Sequence, residues 1–297
     1  MNLILDALKG ILMGIANIIP GVSGGTMAVS LGVYDKLIGA VSNIFHDFRK
    51  SLRTLLPLLI GMGVGIIGFT YIIEYLLSNH PFPTCLAFTG LILGGLPYLW
   101  SAYTLSMRTR RRPRRSRASL VTPLTAFLFL FFAAAVIAMA LASTDSQGLT
   151  AFTPDSKTLI ILFFIGIIAA ATMIIPGVSG SLVLMILGYY YGILNTIKSF
   201  MQALLALDMD AVLHNAAILI PFGIGVVLGV FLISKLIEYL FHNHAGPTYS
   251  AILGLIVASP AAILINTGAL SQITMPGIVI GCAAFLICTV LTYKLGE

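Results

Sequence analysis

The sequence predicts an all-α, polytopic membrane protein made of two inverted-topology repeats, each with a broken or re-entrant helix hairpin. Composition is the first observation: 59% of the 297 residues are hydrophobic and 9% charged, against roughly 25% charged in an ordinary soluble domain. The second is a series of apolar stretches that approach or exceed the ~18–20 residues needed to cross a bilayer. The third is the pentapeptide Pro-Gly-Val-Ser-Gly, which occurs at 20–24 and again at 176–180, each time directly after an apolar run. Bare peptide groups in hydrocarbon cost several kcal/mol each, so a helix break survives there only where protein or a water-filled cavity satisfies it.

Taken in order, Met1 to Ile19 carries no basic leader and no small-residue cleavage site, which predicts that it stays in the mature chain. Only ten residues separate Lys9 from Pro20, and Asp35-Lys36 follows soon after. That is too short for two full crossings, so the first hairpin is expected to be re-entrant. A basic loop at Arg49–Arg53 follows, then apolar stretches at 55–77 and 84–107. An Arg-rich loop at 107–118 holds seven arginines between Arg108 and Arg117; without them nine Lys and Arg face ten Asp and Glu. Beside a membrane span such a run orients the protein and touches anionic lipid headgroups, rather than binding nucleic acid. The stretch 119–141 closes the first half, and 158–175 leads to the second break, whose hairpin is either re-entrant or fully spanning. Stretches at 216–240, 248–265 and 273–293 complete the chain. Cys85, Cys282 and Cys288 lie in apolar runs without metal-ligand spacing or a paired framework, and read as packing residues.

The similarity between the halves extends past the pentapeptide. Leu31-Gly-Val-Tyr34 answers Leu187-Gly-Tyr-Tyr190 at an offset of 156, and Pro57, Gly61 and Gly65 answer Pro221, Gly225 and Gly229 at an offset of 164. Glu74-Tyr-Leu-Leu-Ser-Asn-His80 then matches Glu238-Tyr-Leu-Phe-His-Asn-His244. Apolar composition alone does not reproduce Glu, Asn and His in register, so the chain is expected to be a duplication with units near 1–143 and 144–297. Each unit makes three crossings if its hairpin is re-entrant and five if it spans. Either number is odd, which inverts the second unit relative to the first and places a central site between them. The positive-inside bias puts the Arg-rich loop, Arg49–Arg53 and both termini in the cytoplasm.

After each break a helix restarts, with Ser23, Gly24, Gly25 and Thr26 in the first copy and Ser179, Gly180 and Ser181 in the second. A new helix start presents unpaired N–H groups and the positive end of the macrodipole, the pattern of an anion site. The alternative is a Pro-Gly kink capped by serines. Glu74 and Glu238 lie inside apolar stretches and are candidates for coupling to an ion gradient, unless they snorkel to the interface; Lys235 is placed to pair with Glu238. His80 and His244 fall at expected interfacial turns, as titrating groups or helix ends. His242 and His244 lack a third ligand and make a poor metal site. Tyr34, Tyr190 and Tyr191 either line the cavity or pack.

The paired breaks, with Gly25-Thr-Met-Ala28 and Leu31-Gly-Val-Tyr34 after the first, resemble the bacterial polyprenyl-phosphate translocases over nearly the whole chain. The resemblance implies a transporter, not an enzyme, without catalytic residues or cofactors. It would return undecaprenyl phosphate from the outer to the inner leaflet of the bacterial cytoplasmic membrane for cell-wall and surface-glycan synthesis. Its partners would be the lipid carrier and the bilayer, with a homodimer left open. Two alternatives stand beside it. Undecaprenyl-pyrophosphate phosphatases also use duplicated hairpins, but Gly24 and Gly180 stand where their pattern has arginine, so transition-state charge would lack a positioned cation. An ion-coupled transporter of a small soluble anion would share the architecture.

Overall fold

The computed structural model describes residues 3–19, 22–109, 121–142 and 152–296. Pro20 and Gly21 of the first break and most of the Arg-rich 107–118 loop lie outside them. Every long regular element described is an α-helix. In the first half these are α1 (Leu3–Asn17), α2 (Gly24–Ser30), α3 (Tyr34–Ser42), α4 (Phe48–Asn79), α5 (Pro81–Leu93), α6 (Leu96–Thr109) and α7 (Pro123–Ala142). The second half contains α8 (Ser156–Ile174), α9 (Gly180–Ile186), α10 (Tyr190–Ala206), α11 (Met209–Asn266) and α12 (Met275–Gly296). Among the described residues six helices or helix pairs are long and apolar enough to cross a membrane, so this is a multi-pass membrane protein.

Local chemistry explains where the helices begin and break. The Asp155 carboxylate accepts from the Thr158 hydroxyl (2.7 Å), the Thr153 hydroxyl (2.8 Å) and the Thr158 amide (3.2 Å), capping α8. These hydrogen bonds, the Thr158 hydroxyl foremost, hold its pKa down at about 2. Asp208 caps α11 through the Ala211 amide (3.1 Å). A straight 58-residue α11 would measure ~87 Å, far beyond the ~30 Å hydrocarbon layer. It instead folds at His244, whose backbone (φ −136°, ψ 41°) is not helical, into two limbs. His80 breaks the chain between α4 and α5 with nearly the same backbone (φ −138°, ψ 54°). Thr84 Oγ1 donates to the carbonyls of His80 and Leu76, as Thr248 Oγ1 does to those of His244 and Leu240. The turns expected at both histidines are therefore present and built alike. Arg49–Arg53 departs from expectation. It lies within the opening turns of α4 and not in a loop, because Arg, Lys and Leu are good helix formers and long basic side chains reach water from a helix end.

Packing repeats with the sequence. On α4 a Cβ at Gly61 would lie 2.1 Å from the Ala7 carbonyl oxygen of α1. On α11 a Cβ at Gly225 would lie 2.0 Å from the Phe163 carbonyl oxygen of α8. Small residues let membrane helices approach backbone to backbone, where van der Waals contact drives association. A second pair of contacts crosses between the halves: Gly90 of α5 abuts Phe285 of α12, and Gly254 in the second limb of α11 abuts Phe129 of α7. Gly225→Ala is expected to overpack the α8–α11 seam at a cost of about 1–3 kcal/mol, lowering the melting temperature in detergent. Gly223→Ala, where an added Cβ meets nothing within 4 Å, should hold or raise it, because Ala is the better helix former.

Candidate functional site

The two breaks are in direct contact. The Gly177 amide donates to Thr26 Oγ1 at 2.8 Å, and Tyr34 Oη donates to the Ile174 carbonyl at 3.1 Å. A Cβ on Gly25 would sit 3.0 Å from the Ile174 carbonyl oxygen and 3.2 Å from that of Met173, so the start of α2 rests against the end of α8. The positive end of one helix thereby meets the negative end of another. Gly177 adopts φ +80°, a left-handed conformation that costs glycine nothing.

The breaks differ in what remains free. At the first, Asn17 Oδ1 accepts from the Gly24 amide (2.7 Å), and Ser23 Oγ accepts from the Thr26 amide (3.2 Å) and lies 3.0 Å from Thr26 Oγ1. The first turn of α2 is thus largely satisfied by its own neighbourhood, and Thr26 is 1% exposed. At the second, Ser179 precedes α9 without capping it, and its hydroxyl pairs with that of Ser181 at 3.0 Å. Among the described residues no hydrogen bond reaches the amides of Gly180, Ser181 or Leu182. Ser181 is exposed and Gly180 half-buried, so α9 carries the open donors. The chain then bends by 112° between α9 and α10.

A charged cluster flanks the first break and includes Lys9, Asp35 and Lys36, which in the sequence serve only to bound the hairpin. Lys9 Nζ, buried within the fold, donates to the Leu31 carbonyl at 2.9 Å, where a cation complements the C-terminal end of α2. Lys36 pairs with the buried Asp6 at 2.5 Å. The Asp35 carboxylate accepts from Tyr249 Oη (3.0 Å), and Asn43 Nδ2 donates to Glu238 Oε1 (2.8 Å). Through these side chains α3 is tied to α1 and to both limbs of α11. Asp6 and Lys9, three residues apart in an apolar helix, were the available signal. Leu162, Ile165, Tyr191 and Gly192 occupy the positions equivalent to Asp6, Lys9, Asp35 and Lys36, so this cluster has no counterpart in the second half.

Among the described residues no hydrogen bond joins a coupling candidate directly to either break. Glu238 is half-exposed and reaches Lys235 at 3.8 Å, as the spacing predicts. Glu74 is exposed on α4, with no partner among the described residues. His80 and His244 pack edgewise or tilted against Tyr75 and Tyr239. Tyr34 is buried against Phe241, whereas Tyr190 and Tyr191 pack on each other. Among the described residues no cluster of three or more His, Cys, Asp or Glu suits a metal ion.

An apolar cleft of about 340 Å³ adjoins the second break. Ile175 and Pro176 line it, as do Ile233, Leu236 and Leu240 from the first limb of α11. Ala251 and Leu255 from the second limb and Leu128 and Phe132 from α7 complete its walls, and His244 marks the fold between the limbs.

Comparison with known proteins agrees with this geometry. A family model described as undecaprenyl phosphate translocase-like matches residues 13–274 and 204–294. The polyprenyl-phosphate transporter of Staphylococcus aureus is 30% identical over 263 residues, covering 87% of this chain and 85% of its own. That of Vibrio cholerae is 28% identical over 275 residues, covering 87% and 77%. No solved structure matches. The multi-pass helical fold, the paired breaks and the extent of these matches together establish that the chain belongs to the undecaprenyl phosphate translocase-like family.

Proposed function

We propose that this protein carries undecaprenyl phosphate from the outer to the inner leaflet of the bacterial cytoplasmic membrane, binding its headgroup where the two breaks meet. The observation that carries the reading is the joined pair of breaks, with three free amides and the Ser179–Ser181 hydroxyl pair on the α9 side. Backbone N–H groups at a helix start, reinforced by hydroxyls, suit a phosphate monoester. The relatives named polyprenyl-phosphate transporters support the cargo. Ser23, Gly24, Gly25 and Thr26 chiefly shape the site; Ser179, Gly180 and Ser181 contact the phosphate. With no arginine at Gly24 or Gly180, binding without cleavage fits better than a phosphatase.

The reading includes the two inverted halves, near 1–143 and 144–297, with both termini in the cytoplasm. The recurrence of glycine contacts at offsets of 156 and 164 supports the duplication. The decisive test is reconstitution into liposomes, comparing translocation of polyprenyl phosphate, polyprenyl pyrophosphate and inorganic phosphate while measuring released phosphate. Movement of polyprenyl phosphate without release supports the reading; release, or transport of inorganic phosphate alone, refutes it.

Proton coupling through Glu74 and Glu238, with His80 and His244 nearby, belongs to the same proposal. Glu74→Gln and Glu238→Gln are expected to preserve phosphate binding and remove the response of transport to a pH gradient. Full gradient dependence in both variants would exclude these carboxylates.

A further inference from the structure

We propose that the cleft between the two limbs of α11 and α7 is a prenyl-chain site, holding the part of the lipid nearest a headgroup bound at the second break. This rests on the function proposed above and adds where the tail lies. Three observations carry it. The first is continuity: Pro176 belongs to the break and lines the cleft, and a Cβ on Gly177 would fall 2.7 Å from Cβ of Leu255 in its wall. From His244 to Leu255 the second limb rises ~16 Å, so the cleft runs from the α11 fold to the phosphate site. The second is chemistry. Its walls are almost wholly apolar and its volume, about 340 Å³, lies within the roughly 300–1,000 Å³ range of ligand pockets. Leu236, 51% exposed, forms its outer lip, so a chain can enter sideways from the bilayer. The limbs converge at His244.

The third observation is duplication. A cavity of about 640 Å³ lies where α4 and α5 meet at His80, closed by Ala284 of α12 and by Ser271–Gly277. His80, Pro83 and Ala87 line it at the positions equivalent to His244, Pro247 and Ala251 in the cleft, offset by 164. Ala284 stands to Leu128 at the offset of 156. A carrier that receives a lipid from one leaflet and delivers it to the other requires a tail path toward each. With the halves inverted, the His80 and His244 clefts face opposite leaflets. In this structure it is the His244 cleft that is continuous with the break.

The test uses the full chain in nanodiscs, with undecaprenyl phosphate and methyl phosphate as probes. Ala251→Trp fills the cleft from within, and Leu236→Trp narrows its exposed lip with little burden on folding. Undecaprenyl phosphate is expected to bind each variant about tenfold or more weakly, as follows from displacing a few methylenes from apolar contact. Methyl phosphate, which presents the same headgroup without a prenyl chain, should bind each variant within about twofold of the unmodified protein. A diazirine on the prenyl chain near the phosphate should label α7 and α11 of the unmodified protein. Undecaprenyl phosphate bound equally well by both variants, parallel loss of both probes, or labelling elsewhere would each overturn the site. So would a diazirine-bearing phosphatidylglycerol that labels the cleft and is not displaced by undecaprenyl phosphate. If the unmodified protein bound no undecaprenyl phosphate, the underlying functional reading would fall as well.

Discussion

Gly180→Val is expected to weaken polyprenyl-phosphate binding by roughly a hundredfold or more while leaving the fold intact. A Cβ there would meet Met173 Cγ at 2.8 Å, the middle of a flexible side chain that can move aside. A branched side chain would then stand over the amides of Gly180, Ser181 and Leu182. Losing two hydrogen bonds to a charged phosphate, at about 1.5–3 kcal/mol each, weakens binding by roughly a hundredfold or more. Gly24→Val makes the informative contrast, because the Gly24 amide is already held by Asn17 and an added Cβ would strike the Asn17 carboxamide at 2.9 Å. It should lower the melting temperature more than Gly180→Val and the affinity less. Affinity in nanodiscs and thermal unfolding, measured side by side, separate the two. Normal binding by Gly180→Val would remove α9 from the headgroup site.

Thr26→Val is expected to uncouple the breaks. The substitution nearly conserves volume but leaves the Gly177 amide, now paired at 2.8 Å, without an acceptor in a buried setting. An orphaned buried donor costs about 1–3 kcal/mol. Melting temperature and transport rate should fall together, and Thr26→Ser, which keeps the hydroxyl, should recover most of both. A Thr26→Val protein as stable and active as the original would show that the hydrogen bond between the breaks does not hold the site together.

Much of the fold is legible in the sequence because its signals are local or duplicated. The apolar stretches give the long helices, and the matched Glu74–His80 and Glu238–His244 segments give two chain reversals of the same geometry. The inequality of the breaks is harder to read, since identical pentapeptides suggest identical chemistry. What separates them lies outside the motif. Asn17 precedes the first break where Met173 precedes the second, and Asp6 and Lys9 stand where the second half has Leu162 and Ile165. Partners distant in sequence are harder still. Thr26 and Gly177 are 151 residues apart, and neither residue type signals such a contact. The apolar cleft arises from the folding back of α11 against α7, a tertiary arrangement that hydrophobic periodicity does not encode.

The exchange of helices between halves has a consequence for biosynthesis. Gly90 and Phe285 are 195 positions apart, so at ~5–20 residues per second α5 waits roughly 10–40 s for α12 to leave the ribosome. The second limb of α11 has no such delay, because α7 is already made when it emerges. Newly inserted chains therefore pass through a stage in which the α5 surface is open to lipid, translocon or membrane proteases. Helix α12 completes the half made first, and a nascent chain halted before it should remain a substrate for quality control.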